Sequence, residues 1–184
     1  MLESALKEQL KGIFAGLEAN FAFDISVSSS HENRAELLEL LGDVADCSDH
    51  ITYSVNEGNG LKFTLLKNGN ATGITFRGIP NGHEFTSFIM GLYNVAGPGQ
   101  ALDGETMGRI KALDAPTDMQ IFVSLSCTMC PELVTAAQRI AAENPHITAQ
   151  VYDLNHFPDL RERYQVMSVP CLVINDGAQV SFGK

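Results

Sequence analysis

The stretch Gln120-Ile121-Phe122-Val123-Ser124-Leu125-Ser126-Cys127-Thr128-Met129-Cys130-Pro131 decides how this chain is read. An apolar strand, Gln120 to Leu125, runs into a helix-patterned segment from Cys127 to about Ala142, and two cysteines stand at the junction. Only a thiolate attacks a disulfide, and an ordinary cysteine, with a pKa of about 8.5, is mostly protonated at neutral pH. At a helix start, unpaired backbone N–H groups and the positive end of the helix dipole favour an anion. Cys127 is therefore expected to be the more acidic sulfur. Cys130 lies one turn deeper, where it can attack a mixed disulfide at Cys127 and release the reduced substrate. Pro131 suits a first helical turn, where its missing N–H has no intrahelical partner to lose.

A cysteine pair is also half of a zinc site, so the other half must be sought. The sequence holds no second CxxC, the histidines His31, His50, His83, His146 and His156 lack metal-ligand spacing, and Cys47 and Cys171 stand alone. Redox chemistry is preferred over a structural metal, with an iron–sulfur centre shared between two chains as a further possibility. The 184 residues allow one large or two small domains, and 45% hydrophobic with 18% charged residues describes a globular chain. A formal net charge of −10 argues against nucleic acid and anionic membrane surfaces as partners. The amino terminus has neither the basic start nor the apolar run of a secretion signal, and no segment reaches transmembrane length. A cytoplasmic location is expected, and four cysteines are too few for a disulfide scaffold.

The element pattern runs twice. Periodicity predicts a helix from about Glu3 to Leu17, a strand Phe21 to Val27, a helix Glu32 to Val44, strands Ile51 to Val55, Leu61 to Leu66 and Ile74 to Phe76, and a helix His83 to Tyr93. Lys67-Asn68-Gly69-Asn70 is a hairpin turn. Gly97-Pro98-Gly99-Gln100 breaks the pattern and divides the chain into 1–97 and 98–184. A connecting helix, Asp103 to Leu113, then precedes the strand at Gln120, the helix at Cys127, a strand Ile147 to Tyr152, a helix Pro158 to Tyr164, and strands Cys171 to Ile174 and Gln179 to Phe182. The class is α/β: two tandem thioredoxin-like folds, only the second with a CxxC. Such a unit normally closes with one more helix, yet Lys184 directly follows the last strand, so one face of the second sheet is expected to be thinly covered.

Three motifs stand together: Gly82-His83-Glu84-Phe85-Thr86-Ser87, Ser124 to Pro131, and Val166-Met167-Ser168-Val169-Pro170. With them the chain resembles, over nearly its whole length, the amino-terminal domain of the flavoprotein subunit of alkyl hydroperoxide reductase. The resemblance implies a dithiol that takes electrons from a flavin-linked disulfide centre and passes them to an oxidised peroxiredoxin or similar protein disulfide. It makes Cys127 the attacking and Cys130 the resolving sulfur, and it puts Glu84 in the cleft between the folds as a proton acceptor and donor. A carboxylate in a first helical turn is otherwise explained by the helix dipole alone. The resemblance further implies that Pro170 is cis and lies beside the dithiol, leaving the Val169 backbone to pair with a bound peptide; the plain alternative is a trans proline opening an edge strand.

Departures from the family pattern are visible too. Thr128 and Met129 replace the usual histidine and asparagine, which removes one potential cation near the thiolate. No Gly-x-Gly-x-x-Gly follows a strand, so the chain itself is expected to bind no cofactor. FAD and NAD(P)H would sit on a flavoprotein reductase, fused or separate, that acts as donor. Cys171 and Cys47 read as buried small hydrophobes, His83 as part of a helix start, and Met129 and Met167 as packing or contact surface. A general protein-disulfide reductase or isomerase, or a metal-holding binding module, are the competing functions.

Overall fold

The computed structural model describes residues 1–183. Helix α1 (Ser4–Phe14) buries Leu10 and Phe14. Strand β1 (Phe21–Val27) alternates buried and half-buried positions along its length, as a strand with one face on a core does. Helix α2 (Arg34–Ala45) buries Leu37, Leu40, Leu41 and Val44, one stripe at helical spacing. Strands β2 (Ile51–Asn56), β3 (Leu61–Lys67) and β4 (Asn70–Arg77) follow. The β3–β4 turn puts Asn68 at φ 49° and Gly69 at φ 81°, the two positive angles of a twist-matched hairpin.

Helix α3 (Glu84–Ala96) is followed by the Gly97 to Asp103 connection and by α4 (Gly104–Lys111), which Asp103 caps by accepting the Thr106 N–H at 2.8 Å. The connection is pinned to both flanks. Gln100 N–H donates to Asn94 Oδ1 at 2.8 Å, and its carbonyl accepts from Arg139 Nε at 2.9 Å. The remaining elements are β5 (Thr117–Val123), α5 (Cys130–Glu143), β6 (Ile147–Asp153), α6 (Pro158–Arg163), β7 (Cys171–Ile174) and β8 (Gln179–Phe182), the last two joined through a 3₁₀ turn at Asn175–Gly177. Helix α1 ends at Phe14 and not Leu17, β4 is longer than the Ile74 to Phe76 read from the pattern, and the boundaries around the dithiol differ too. The fifth strand starts at Thr117 and ends at Val123, and α5 starts at Cys130, because residues 124–129 form the turn that carries the dithiol.

All eight strands belong to one sheet, in the order β2-β1-β3-β4-β6-β5-β7-β8. The two repeats share the internal order second, first, third, fourth strand. They join where β4 pairs in parallel with β6, from Ile74 opposite Ala149 to Arg77 opposite Tyr152. A single core lies between this sheet and α1, α2, α3 and α5, containing Phe23, Phe63, Leu92, Ile121, Val134 and Val151 together. Each such buried side chain contributes roughly 1.5–3 kcal/mol. Helices α3 and α5 pack closely: a Cβ on Gly91 would lie 2.6 Å from Gln138 Oε1. A smaller cluster of Phe122, Tyr152, Leu154, Val166, Cys171 and Val173 fills the opposite face of the second repeat under α6. Among the described residues no helix follows β8, and Val180 and Phe182 on that strand are exposed.

Candidate active site

Strands β1, β4, β5 and β6 all point the same way, so the turns after them emerge at one end of the sheet. Carboxyl ends of parallel strands are where α/β sheets build their sites. The turn after β5 carries the dithiol. Cys127 and Cys130 form a disulfide, with Cα atoms 5.5 Å apart, inside the ordinary range for such a bond. Cys127 is half-buried and Cys130 has no exposed surface. The accessible sulfur is thus the one expected to attack.

Cys127 precedes α5 by three residues, and this geometry serves its sulfur. The backbone N–H of Cys130, the first residue of α5, donates to Cys127 Sγ at 3.1 Å. One of the four N–H groups that a helix start leaves unpaired is therefore aimed at the Cys127 sulfur, an arrangement that favours negative charge on that atom. The cysteines outside the pair are buried: burial pushes the thiols of Cys47 and Cys171 up and away from reactivity.

Pro170 is buried, and the Val169–Pro170 bond is cis. Val169 packs against both cores, and Cys127 packs against the larger one. Met129 and Met167, 48% and 82% exposed, are the large apolar side chains that the two active-site turns present to solvent.

Glu84 is the first residue of α3, and it is completely buried. The turn that leads into it is tied to the dithiol turn, since His83 N–H donates to the Leu125 carbonyl at 3.0 Å. Gly82 makes this approach possible. At φ +56° it adopts a backbone that disfavours side chains, and a Cβ there would lie 2.6 Å from the Leu125 oxygen. Ser87 Oγ donates to Glu84 Oε2, while Oε1 has no partner. Burial pushes the Glu84 carboxyl up to about 7, the Ser87 hydrogen bond opposes this, and the charge of Asp153 adds to it. The four sequence-derived candidates Cys127, Cys130, Glu84 and Pro170 all lie in or beside turns at this end of the sheet, where β4 and β6 join the repeats.

Sequence reasoning missed Asp153. It ends β6, is 1% exposed, and continues on the core face the alternation begun by Ile147, Ala149 and Val151. The signal was available: an apolar strand that closes on an acid, followed by Leu154, points that acid inward. Among the described residues no cluster of three His, Cys, Asp or Glu side chains converges as a metal site would, and no helix is long and apolar enough to cross a membrane.

The family described as thioredoxin domain matches residues 117–184. The alkyl hydroperoxide reductase AhpF of Pseudomonas aeruginosa is 36% identical over 177 residues, covering 95% of this chain, and that of Staphylococcus epidermidis is 34% identical over 185 residues, covering 100%. A solved structure of Enterococcus faecalis AhpF superposes with a TM-score of 0.93 at 36% identity, covering 100% of this chain and 94% of that one. The chain belongs to the alkyl hydroperoxide reductase AhpF family. It spans 34% and 36% of the length of the two curated relatives, and the E. faecalis AhpF NTD_N/C domain, solved alone, matches with a TM-score of 0.93 and 95% of its length covered. A protein disulfide oxidoreductase from Aeropyrum pernix, at 21% identity and TM-score 0.86, shares the fold.

The chain corresponds to the NTD_N/C domain of AhpF, a double thioredoxin-like fold, and its CxxC disulfide supports thiol–disulfide oxidoreductase activity. The flavin that such a flavoprotein carries does not fit the residues here. The turns after β1, β5 and β6 contain no glycine. In the turn after β4, Gly82 is backed by Leu125 and Gly78 by Asp153, and the turn after β2 sets Gly58 against Ser26 and leads into strand β3 and not into a helix, leaving no cradle at a helix start for a pyrophosphate.

Proposed function

We propose that residues 98–184 form an electron-relaying thioredoxin-like unit and residues 1–97 a redox-inactive partner unit. The relay takes electrons from a disulfide centre of a flavoprotein reductase that carries FAD and NAD(P)H, fused or separate. It delivers them to an oxidised peroxiredoxin or a similar protein disulfide in the cytoplasm. The observation that carries this reading is the Cys130 N–H aimed at the half-buried Cys127 sulfur, in a chain that belongs to the AhpF family.

In the reductive direction the Cys127 thiolate attacks one sulfur of the partner disulfide, and the other leaves as a thiolate. Cys130 then gives its proton to Glu84, attacks Cys127 Sγ, and expels the second partner sulfur. The partner gains two electrons and the Cys127–Cys130 bond forms. A carboxyl poised near 7 serves this transfer better than an ordinary one, because it accepts and returns a proton at neutral pH. The partner's peptide pairs with the Val169 backbone before Pro170, and Met129 and Met167 supply adaptable apolar contact.

The test is the midpoint potential of the Cys127/Cys130 couple in a Cys47→Ser, Cys171→Ser background, so that one couple titrates. We expect a value below about −230 mV, low enough to drive reduction of a peroxiredoxin disulfide. A value near −180 mV would move the function to general disulfide reduction or isomerisation.

A further inference from the structure

Methionine is distributed unevenly over this molecule. Of the six in the sequence, Met119 is buried and Met90 and Met107 are half-buried, whereas Met129 is 48% exposed and Met167 82%. Apart from Met1, the exposed thioethers are therefore confined to the dithiol turn and the turn before Pro170. The other apolar residues of these turns, Leu125, Val166 and Val169, are buried or half-buried. Neither methionine sits on slack backbone. Met129 lies between the two sulfurs and directly precedes Cys130, which has no exposed surface and whose N–H donates to Cys127 Sγ at 3.1 Å. Met167 follows Val166, which is buried and whose N–H donates to the Arg161 carbonyl at 2.9 Å, and it precedes Val169, packed on both cores. Strand β7 opens with Cys171 opposite Phe122, so the residues before it run beside the turn after β5. The backbone is thus anchored on both sides while the two side chains stand in solvent. What a thioether has that an aliphatic side chain lacks is an oxidisable sulfur: its sulfoxide turns a flexible apolar group into a polar one.

We propose that Met129 and Met167 are a peroxide-sensitive modification site: an organic hydroperoxide oxidises the two thioethers to sulfoxides, and the oxidised rim docks protein disulfides poorly. The inference rests on the reading that these side chains contact the partner protein. In the step, the thioether sulfur attacks the outer oxygen of the hydroperoxide. The O–O bond breaks, an S–O bond forms, and the proton of the outer oxygen passes to the inner one, which leaves as an alcohol. Sulfur loses two electrons and the hydroperoxide gains them. The dithiol takes no part, so its disulfide stays closed throughout. Peroxide in excess then lowers the delivery of electrons to protein partners without touching the exchange chemistry of Cys127 and Cys130, and reduction of the sulfoxides returns the apolar rim.

The test exposes the full chain, with Cys127–Cys130 closed, to tert-butyl hydroperoxide and then removes the peroxide. The dithiol is opened with dithiothreitol, and its single-turnover oxidation by insulin and by a small aromatic disulfide is followed. Peptide mass mapping reports which methionines have gained oxygen. We expect Met129 and Met167 to gain it before Met90, Met107 and Met119, and oxidation by insulin to slow by roughly tenfold while the small disulfide keeps its rate. Treatment with a methionine sulfoxide reductase should restore the insulin rate. A Met129→Leu, Met167→Leu chain, compared with itself before treatment, should lose none of its insulin rate. Sulfoxides that leave the insulin rate unaltered overturn the proposal, and so does equal slowing with the small disulfide, which places the damage at the dithiol. Untreated Met129→Gln and Met167→Gln chains separate the two readings, glutamine being polar and of similar length. Slow insulin turnover in these, beside wild-type methionines that gain oxygen no sooner than Met119, overturns the modification alone. Wild-type insulin rates in both overturn the contact reading and the modification with it.

Discussion

The two repeats are alike in backbone and opposite in chemistry. Arg34 follows the end of β1 at the distance at which Cys130 follows the end of β5, so His31 and Arg34 occupy the places of Cys127 and Cys130. The third strand of the second repeat is entered through cis Pro170, whereas β3 is entered through Asn59 and Gly60. The second repeat has α6 and an aromatic cluster of Phe122, Tyr152, Phe157 and Tyr164 on its outer face. The first connects β2 to β3 without a helix, and its outer face is polar: Asn56 donates to Asp24 at 2.8 Å, and the Thr64 and Thr75 hydroxyls meet at 3.0 Å. What the first repeat contributes to the redox end is α3, with Glu84 at its start. On the proposed reading the difference is a division of labour within a duplicated fold, one copy supplying sulfur and the other a buried acid.

The sharpest way to break this division is to move the sulfurs. Cys127→Ser should abolish disulfide turnover, and Cys130→Ser should trap a mixed disulfide at Cys127, visible as a reducible mass adduct. Adding His31→Cys and Arg34→Cys to a Cys127→Ser, Cys130→Ser chain should restore the motif without restoring turnover, because β3 is entered without a cis proline. Recovery of wild-type turnover would show that position within the duplicated fold is irrelevant.

The next effect is on stability. Glu84 titrates near 4.5 when unfolded and at about 7 when folded, so the folded state holds the extra proton between those values. Stability is then greatest below about pH 4.5 on this group's account and falls as pH rises to about 7, by roughly 3 kcal/mol, levelling above. Urea unfolding of wild type and Glu84→Gln across this window should show the slope in the first and not in the second. Gly82→Ala comes after this. The added Cβ meets the Leu125 carbonyl at a positive φ, and we expect a loss of about 1–3 kcal/mol with a change in the potential of the dithiol. Cys171→Ala should be smallest, about 1 kcal/mol from the emptied methyl-sized space, with the dithiol potential unaltered.

Much of this was legible in the sequence. The strands Cys171–Ile174 and Gln179–Phe182 fall where alternation and turn residues put them, and the order of elements in both repeats holds. The start of α5 was not legible to the residue: Cys127, Thr128 and Met129 fit a helical pattern, but the chain turns there so that a free N–H meets sulfur. Nor was the merging of two sheets into one. Edge pairing between Ile74–Arg77 and Ala149–Tyr152 leaves no local mark, since both runs read as ordinary strands. Asp153 escaped because an acid at a strand end reads as a turn residue, although its place in the alternation of Ile147, Ala149 and Val151 turns it inward.

That merged sheet has a further consequence. Two separate four-stranded sheets present four rows of unsatisfied backbone donors and acceptors, each an invitation to pair with another molecule. Joining β4 to β6 leaves two, on β2 and β8. A chain cut in the Gly97 to Asp103 connection would bare the other two, so either fragment produced alone would be sticky along a new margin. The seam between the two repeats also covers two strand edges that separate sheets would leave open.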